Sequence, residues 1–262
     1  MAAAILLFLP PLSFLFQFTQ DSNFCGSWCP RMFFTWRKGA SGGEFLLGFL
    51  RSYMGVILVL GILASTFFFG RYWCSHLCPV GGAMELSSKA WPRFLRINYS
   101  AVPAPSFRYG YLFMYFAVSA LGIGSLCCNY CNFATIPRIF GAAFTKADMA
   151  YFLRTAGLIN LGLVVMLGVA AKGGRGYCNL LCPIGALDSL SNRFGLRFGK
   201  RMRIDASKCN TCGACAKRCP VWAIDVNNGS DTAADIDSLS CMPCGECEKV
   251  CPKEAIRYGK AQ

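Results

Sequence analysis

Two cysteine runs of identical spacing occupy the C-terminal quarter of this 262-residue chain: Cys209-x2-Cys212-x2-Cys215-x3-Cys219-Pro220 and Cys241-x2-Cys244-x2-Cys247-x3-Cys251-Pro252. Three closely spaced thiolates wrap one face of an iron–sulfur cubane, and the distant fourth of each run closes the other site, so the two centres interlock. The expected ligand sets are Cys209, Cys212, Cys215 and Cys251 for one [4Fe–4S] cluster, and Cys241, Cys244, Cys247 and Cys219 for the other. A pair of zinc knuckles is the rival, but zinc takes four ligands, usually as two separated pairs, and this double array does not follow that pattern. Gly213 and Gly245 fall between ligands, where tight winding calls for positive φ. A fold of some sixty residues buries little apolar surface, so cluster bonds would act as its staples.

The chain holds 17 cysteines in all, and their grouping favours metal ligation over a disulfide scaffold. It is 55% hydrophobic and only 15% charged, against about 25% charged residues in an average soluble domain. Four apolar stretches, approximately 2–18, 53–70, 109–126 and 155–171, approach the roughly 20 helical residues needed to cross a bilayer; Pro10 and Pro11 interrupt the first, for which a cleaved signal peptide is the alternative. The net charge of +13 is uneven, with 19 basic and 5 acidic side chains before residue 204. Basic residues lie in short segments between the apolar runs, twelve of them within 71–108 and 172–203 against six within 19–51 and 127–150. That bias suits membrane orientation better than nucleic-acid binding, and places both termini on the cytoplasmic side. The basic stretch 193–203 reads as a linker lying against anionic headgroups.

Each apolar stretch is followed by a C-x3-C pair: Cys25 and Cys29, Cys74 and Cys78, Cys127 and Cys131, Cys178 and Cys182. Two thiolates are too few for a cubane, whereas two pairs on one face supply four. Alternating helices would bring Cys74, Cys78, Cys178 and Cys182 together at the inner face, and Cys25, Cys29, Cys127 and Cys131 at the outer face, with Cys128 spare. Both cysteines of a pair sit on one side of a final helical turn, which the following Pro is expected to stop. Disulfides are an alternative for the outer set, and inert buried thiols for the inner. The contexts of the inner pairs repeat: Arg71-Tyr72-Trp73-Cys74-Ser75-His76-Leu77-Cys78-Pro79-Val80-Gly81 matches Arg175-Gly176-Tyr177-Cys178-Asn179-Leu180-Leu181-Cys182-Pro183-Ile184-Gly185, which marks two related halves.

His76, the sole histidine, lies between two expected ligands, where it could serve a quinol or tune a cluster, or else be a solvated loop side chain. One histidine cannot give bis-histidine haem ligation. Lys172-Gly173-Gly174-Arg175-Gly176 has neither the spacing nor the preceding strand of a nucleotide fingerprint.

The order of motifs over residues 53–255 resembles the membrane polyferredoxins, the NapH-like quinol dehydrogenase subunits of nitrate reductase systems and their relatives in methylamine oxidation and nitrous-oxide pathways. The resemblance implies a mainly α membrane protein of four transmembrane helices, with a C-terminal α+β domain of bacterial 2[4Fe–4S] ferredoxin type. It also implies quinol oxidation and redox partner proteins on one or both sides of a bacterial or archaeal inner membrane. The outer cysteines depart from that pattern. The expected organisation is a four-helix domain over 1–195, a basic linker over 196–203 and a ferredoxin domain over 204–262. The expected role is electron transfer through a chain of clusters, with iron or redox sensing as the alternative.

Overall fold

The computed structural model describes residues 53–121, 130–144, 146–226 and 233–260. α1 (Tyr53–Phe69) contains no charged side chain and is apolar on every side, with Val56, Val59 and Ile62 turned inward and Ile57 and Leu60 outward. Gly70 closes it at φ 73, a conformation open to glycine. A π-helical turn over Trp73–Leu77 then leads to α2 (Pro79–Ala90). α3 (Ala104–Ala120), α4 (Asn132–Gly141) and α5 (Lys146–Phe152) follow. α6 (Thr155–Val164) widens into a second π-helical turn at Val165–Val169, before α7 (Gly176–Leu180) and α8 (Pro183–Phe194).

α2 and α8 each run 12 residues and begin with a proline directly after a cysteine. Proline suits the first helical position, because its missing N–H is one that no intrahelical carbonyl would accept and its φ is already helical. Pro79 and Pro183 therefore open helices, and the expectation that they end them is reversed. Cys78 and Cys182 are the extended residues at the N-cap.

α8 packs on α1 and α3, and α2 on the π-helical turn of the second half. Val80, Ala83, Met84, Ile136, Val164 and Tyr177 form the core between them. Asn160 is buried and donates to the Tyr151 hydroxyl at 2.6 Å, a helix-packing bond. A parallel bridge pairs Ile97 with Ala171 and ties the halves together.

Among the described residues no helix is long and apolar enough to cross a membrane. α1 and α3 each have 17 residues, about 25 Å at 1.5 Å per residue against an apolar bilayer core of roughly 30 Å. The third expected stretch overlaps a helix that carries the buried Arg108 ahead of it and ends at Ala120, residues 122–126 lying outside the described ones, and the fourth is a 10-residue helix followed by a π-helical turn. The first, over residues 2–18, lies outside the described residues. The expected four-span fold and the multi-pass inner-membrane localisation are overturned on this finding. Four of the twelve basic residues that suggested an orientation have another explanation: Arg71, Arg108, Arg175 and Arg201 are buried, at 0%, 0%, 2% and 6% exposure.

The C-terminal part is α+β: β1 (Arg201–Ile204), α9 (Ala214–Arg218), β2 (Ile224–Asp225), β3 (Asp235–Ile236), α10 (Glu246–Lys249) and β4 (Ile256–Gly259). β1 pairs antiparallel with β4 from Arg201↔Gly259 to Ile204↔Ile256, and β2 pairs with β3. Residues 201–203, expected in a linker, thus belong to this domain's first strand. The domain is fastened to the helices by buried polar groups. Arg201 donates to the carbonyls of Thr66 and Phe67 at 2.9 and 3.1 Å. Asn179 donates to the Val221 carbonyl at 3.0 Å, and Arg71 to those of Leu239 and Ser240 at 3.2 and 3.3 Å.

Candidate metal centres

In the C-terminal domain the chain winds the same way twice. Gly213 and Gly245 stand at φ 71 and 75 ahead of α9 and α10, as the spacing predicts. A Cβ at either would meet nothing within 4 Å, so conformation rather than space selects glycine there. After each run's last cysteine comes a matched Cys-Pro-x-x-Ala turn, Cys219 to Ala223 and Cys251 to Ala255. Its fourth residue, Trp222 at φ 54 or Glu254 at φ 48, is left-handed. The turn aims the following amide back at sulfur: Ala223 N–H donates to Cys219 Sγ and Ala255 N–H to Cys251 Sγ, both at 3.3 Å. A donor held on a sulfur favours its anionic, metal-binding form.

Cys209, Cys212, Cys215 and Cys251 line one small cavity. Cys241 stands within electrostatic reach of Cys219, Cys247 and Cys244. These are the two interlocked sets read from the spacing. Burial, with neighbouring Cys244 and Cys219 adding to it, pushes the Cys247 thiol up to about 12, and burial raises Cys241 further. Loading metal onto such thiols must release protons that the apolar surroundings otherwise hold in place.

The third set spans the two helical halves. Cys74 is within reach of Cys78 and Cys182, and Cys178 of the same two. Arginines that sequence reasoning passed over surround the set. Arg175 donates to the Cys74 carbonyl at 2.6 Å and the Ser75 carbonyl at 3.2 Å, and pairs with Glu85 at 2.9 Å. Arg71 pairs with Asp188 at 3.2 Å, both wholly buried. Asp188 also accepts from Thr66 Oγ1, and from the Cys74 thiol at 3.1 Å. Burial works against the Arg71 cation, but Cys74 and Asp188 outweigh it and hold its pKa above the ordinary value. The signal for these residues was present in the repeat, where an arginine stands three positions before the first cysteine of each pair.

The arrangement is exchanged between halves. A Cβ on Gly81 would strike Arg175 Nη1, and one on Gly185 would lie 3.1 Å from Arg71 Nη2. Each half's glycine, two positions after its proline, leaves the notch that seats the other half's guanidinium. The acids cross over too, Asp188 from α8 meeting Arg71 and Glu85 from α2 meeting Arg175.

These residues fit [4Fe–4S] clusters on two counts. Sulfur-directed amides recur in the helical part, where Gly185 N–H lies 3.4 Å from Cys182 Sγ. Arg71 Nη2 and Arg108 Nε and Nη2 are buried with no acceptor among the described residues, and Cys182 acts on the charge of Arg108. Such donors suit an anionic guest at this position.

Of the expected outer set, Cys25, Cys29 and Cys127 lie outside the described residues, as does Cys128. Cys131 is buried at the N-cap of α4. His76 sits in the turn between Cys74 and Cys78, its ring stacked on Tyr72 at 4.1 Å and its Nδ1 2.6 Å from the Ser75 hydroxyl. Partial burial holds its pKa below the ordinary value.

Comparison with known proteins bears on the same three regions. A model described as a 4Fe-4S binding domain matches residues 52–98, and two described as 4Fe-4S dicluster domains match residues 174–223 and 201–256. YccM of Escherichia coli K12, provisionally named an electron transport protein, is 26% identical over 170 residues, covering 63% of this chain and 45% of that one. MauN of Methylobacillus flagellatus, a methylamine utilization ferredoxin-type protein, is 26% identical over 170 residues, covering 62% and 54%. An uncharacterised protein of Methanocaldococcus jannaschii is 22% identical over 166 residues, covering 63% and 58%. The chain spans about half the length of the relatives it matches. It carries several ferredoxin-type [4Fe–4S] domains and is an iron–sulfur protein related at low identity to such proteins.

Proposed function

We propose that this chain transfers electrons singly along a row of three [4Fe–4S] clusters, between one redox partner protein and another. The cysteines assigned to them are Cys74, Cys78, Cys178 and Cys182; then Cys219, Cys241, Cys244 and Cys247; then Cys209, Cys212, Cys215 and Cys251. When bound, such clusters supply one-electron redox chemistry over a wide range of potential.

The observation that carries this reading is the continuity of packing from set to set. Cys74 and Cys178 share one apolar cluster with Cys219 and Cys241, around Val221, Ala223 and Met242. Cys241 also belongs to the next cluster, with Cys209, Cys215, Cys247 and Cys251. Cysteines of consecutive sets thus belong to shared apolar clusters. A purely structural use of the metal would not require the sets to adjoin. Quinol is proposed as a donor on the resemblance in motif order alone, and addition of a quinol analogue to the oxidised protein tests it.

Anaerobic iron counting with EPR tests the main reading. The three sets call for about 12 irons per chain, and an outer fourth for about 16. Cys178→Ser should remove one cluster signal and leave the other two. A wild-type chain holding about eight irons would reject the helical site.

A further inference from the structure

A pocket of about 160 Å³ opens where the helical part meets the C-terminal domain, and Cys219 and Cys244, two thiols of the middle set, form part of its wall. Around them stand Lys89, Arg96, Lys172, Lys217 and Arg218, with the buried Arg175 beneath. The two carboxylates there are already engaged: Glu85 pairs with Lys89 and Arg175, both at 2.9 Å, and Glu246 with Arg218 at 3.0 Å and Lys249 at 2.9 Å. The Arg96 guanidinium donates to the carbonyls of Trp91 and Lys89. Arg96, Lys172 and Lys217 have no carboxylate partner among the described residues.

Lys172 is held there by the glycine turn that follows it. Gly173, at φ 85, presses so closely on Pro220 that a Cβ would lie 2.5 Å from that proline's Cα; Gly174, at φ 69, is pressed as closely on Met84 and Glu85. The turn is thereby wedged between α2 and the corner just after Cys219. The Lys-Gly-Gly-Arg sequence, which fits no nucleotide fingerprint, thus serves to fix a cation beside the middle set.

We infer that this basic pocket is the docking surface for an acidic one-electron carrier protein, whose carboxylates meet Lys172, Lys217 and Arg96 and bring its redox centre to the Cys219–Cys244 edge. The inference rests on the electron-transfer reading above and names the partner by its charge. One electron passes from the reduced carrier to the centre held at that edge; the carrier is oxidised, the centre is reduced, and no bond forms or breaks. Opposite charges at such a contact accelerate encounter and make it sensitive to salt.

The test is stopped-flow reduction of the iron-loaded full chain by a small ferredoxin of net negative charge, across a range of ionic strength. The wild-type rate should fall steeply with salt. The double variant Lys172→Glu, Lys217→Glu should be slower by about tenfold or more at low salt, with a flattened salt dependence. Photoreduced deazariboflavin, an uncharged donor, should reduce wild type and variant alike, and iron content should be equal. An unchanged rate and salt slope in the double variant would overturn the inference. So would an equal loss in Lys200→Glu, an exposed position outside the pocket, because bulk charge would then explain the effect. Failure of deazariboflavin to reduce any cluster in the wild type would instead count against the electron-transfer reading itself.

Discussion

Cys178 shows what a buried thiol costs a fold without its metal. Burial, only partly opposed by Arg175, pushes it from the ordinary 9.0 up to about 12. As pH rises past 9 the unfolded chain gives up this proton before the folded chain does, so the metal-free fold loses stability between about pH 9 and pH 12. With iron in place the thiolate is already formed, and the dependence reverses, the centre being lost on acidification as protons compete for sulfur. Denaturant midpoints of the metal-free protein at pH 7 and pH 10 should therefore fall with pH, while cluster absorbance of the loaded protein should hold at pH 10 and bleach in acid. Equal metal-free midpoints at the two values would contradict the burial argument. At this scale the sequence offered groupings on unequal grounds: the C-x2-C runs proposed the two C-terminal sets, whereas the helical set was assembled from an alternation of membrane-crossing helices that the fold overturns. The sequence did not reveal Arg71, Arg175 or Asp188, whose role depends on contacts between residues about a hundred positions apart.

Among the elements, α2 and α8 decide where the helical set forms. Each begins at a cysteine-proline junction and places a glycine where the opposite half inserts a guanidinium. Gly81→Ala should expel Arg175 from the Cys74 carbonyl, because its Cβ would occupy the position of Nη1. The expected result is loss of about four irons and of one cluster signal, with the C-terminal pair retained. Gly61→Ala, on α1 with nothing within 4 Å of its Cβ, should keep all iron and serve as the control. Elements were also where sequence reading failed. Hydropathy registers how apolar α1 is, yet it cannot tell a helix two or three residues short of a bilayer crossing from one that crosses. Proline marks a boundary without saying on which side the helix lies, so Pro79 and Pro183 were read as stops. A count of basic residues between apolar runs is equally blind to whether a guanidinium faces solvent or an interior carboxylate.

For the molecule as a whole, the docking of the C-terminal domain brings Cys219 and Cys241 into one apolar cluster with Cys74 and Cys178. Arg201 is central to that seam, giving its Nη2 to the carbonyls of Thr66, Phe67 and Asn192, while Tyr258 reaches the Phe69 carbonyl at 2.7 Å. Hydrogen bonds from a charged donor contribute about 1.5–3 kcal/mol each. Arg201→Ala should loosen the domain by a few kcal/mol, seen as faster limited proteolysis at 195–200 and slower redistribution of electrons between the helical centre and the C-terminal pair after flash reduction. Iron content should be unchanged, since no cysteine is touched. An unaltered cleavage rate would remove Arg201 from its place at the seam.

The exchange of arginines across the twofold repeat also governs what a severed chain can do. Cut between α3 and α4, the helical part would give two pieces, each with two of the four thiolates and an arginine lacking both its glycine seat and its carboxylate from the other half. Neither piece is a smaller version of the whole. Only recombination of the unlike pieces, or self-association of one of them with its own twin, would recreate a complete cage.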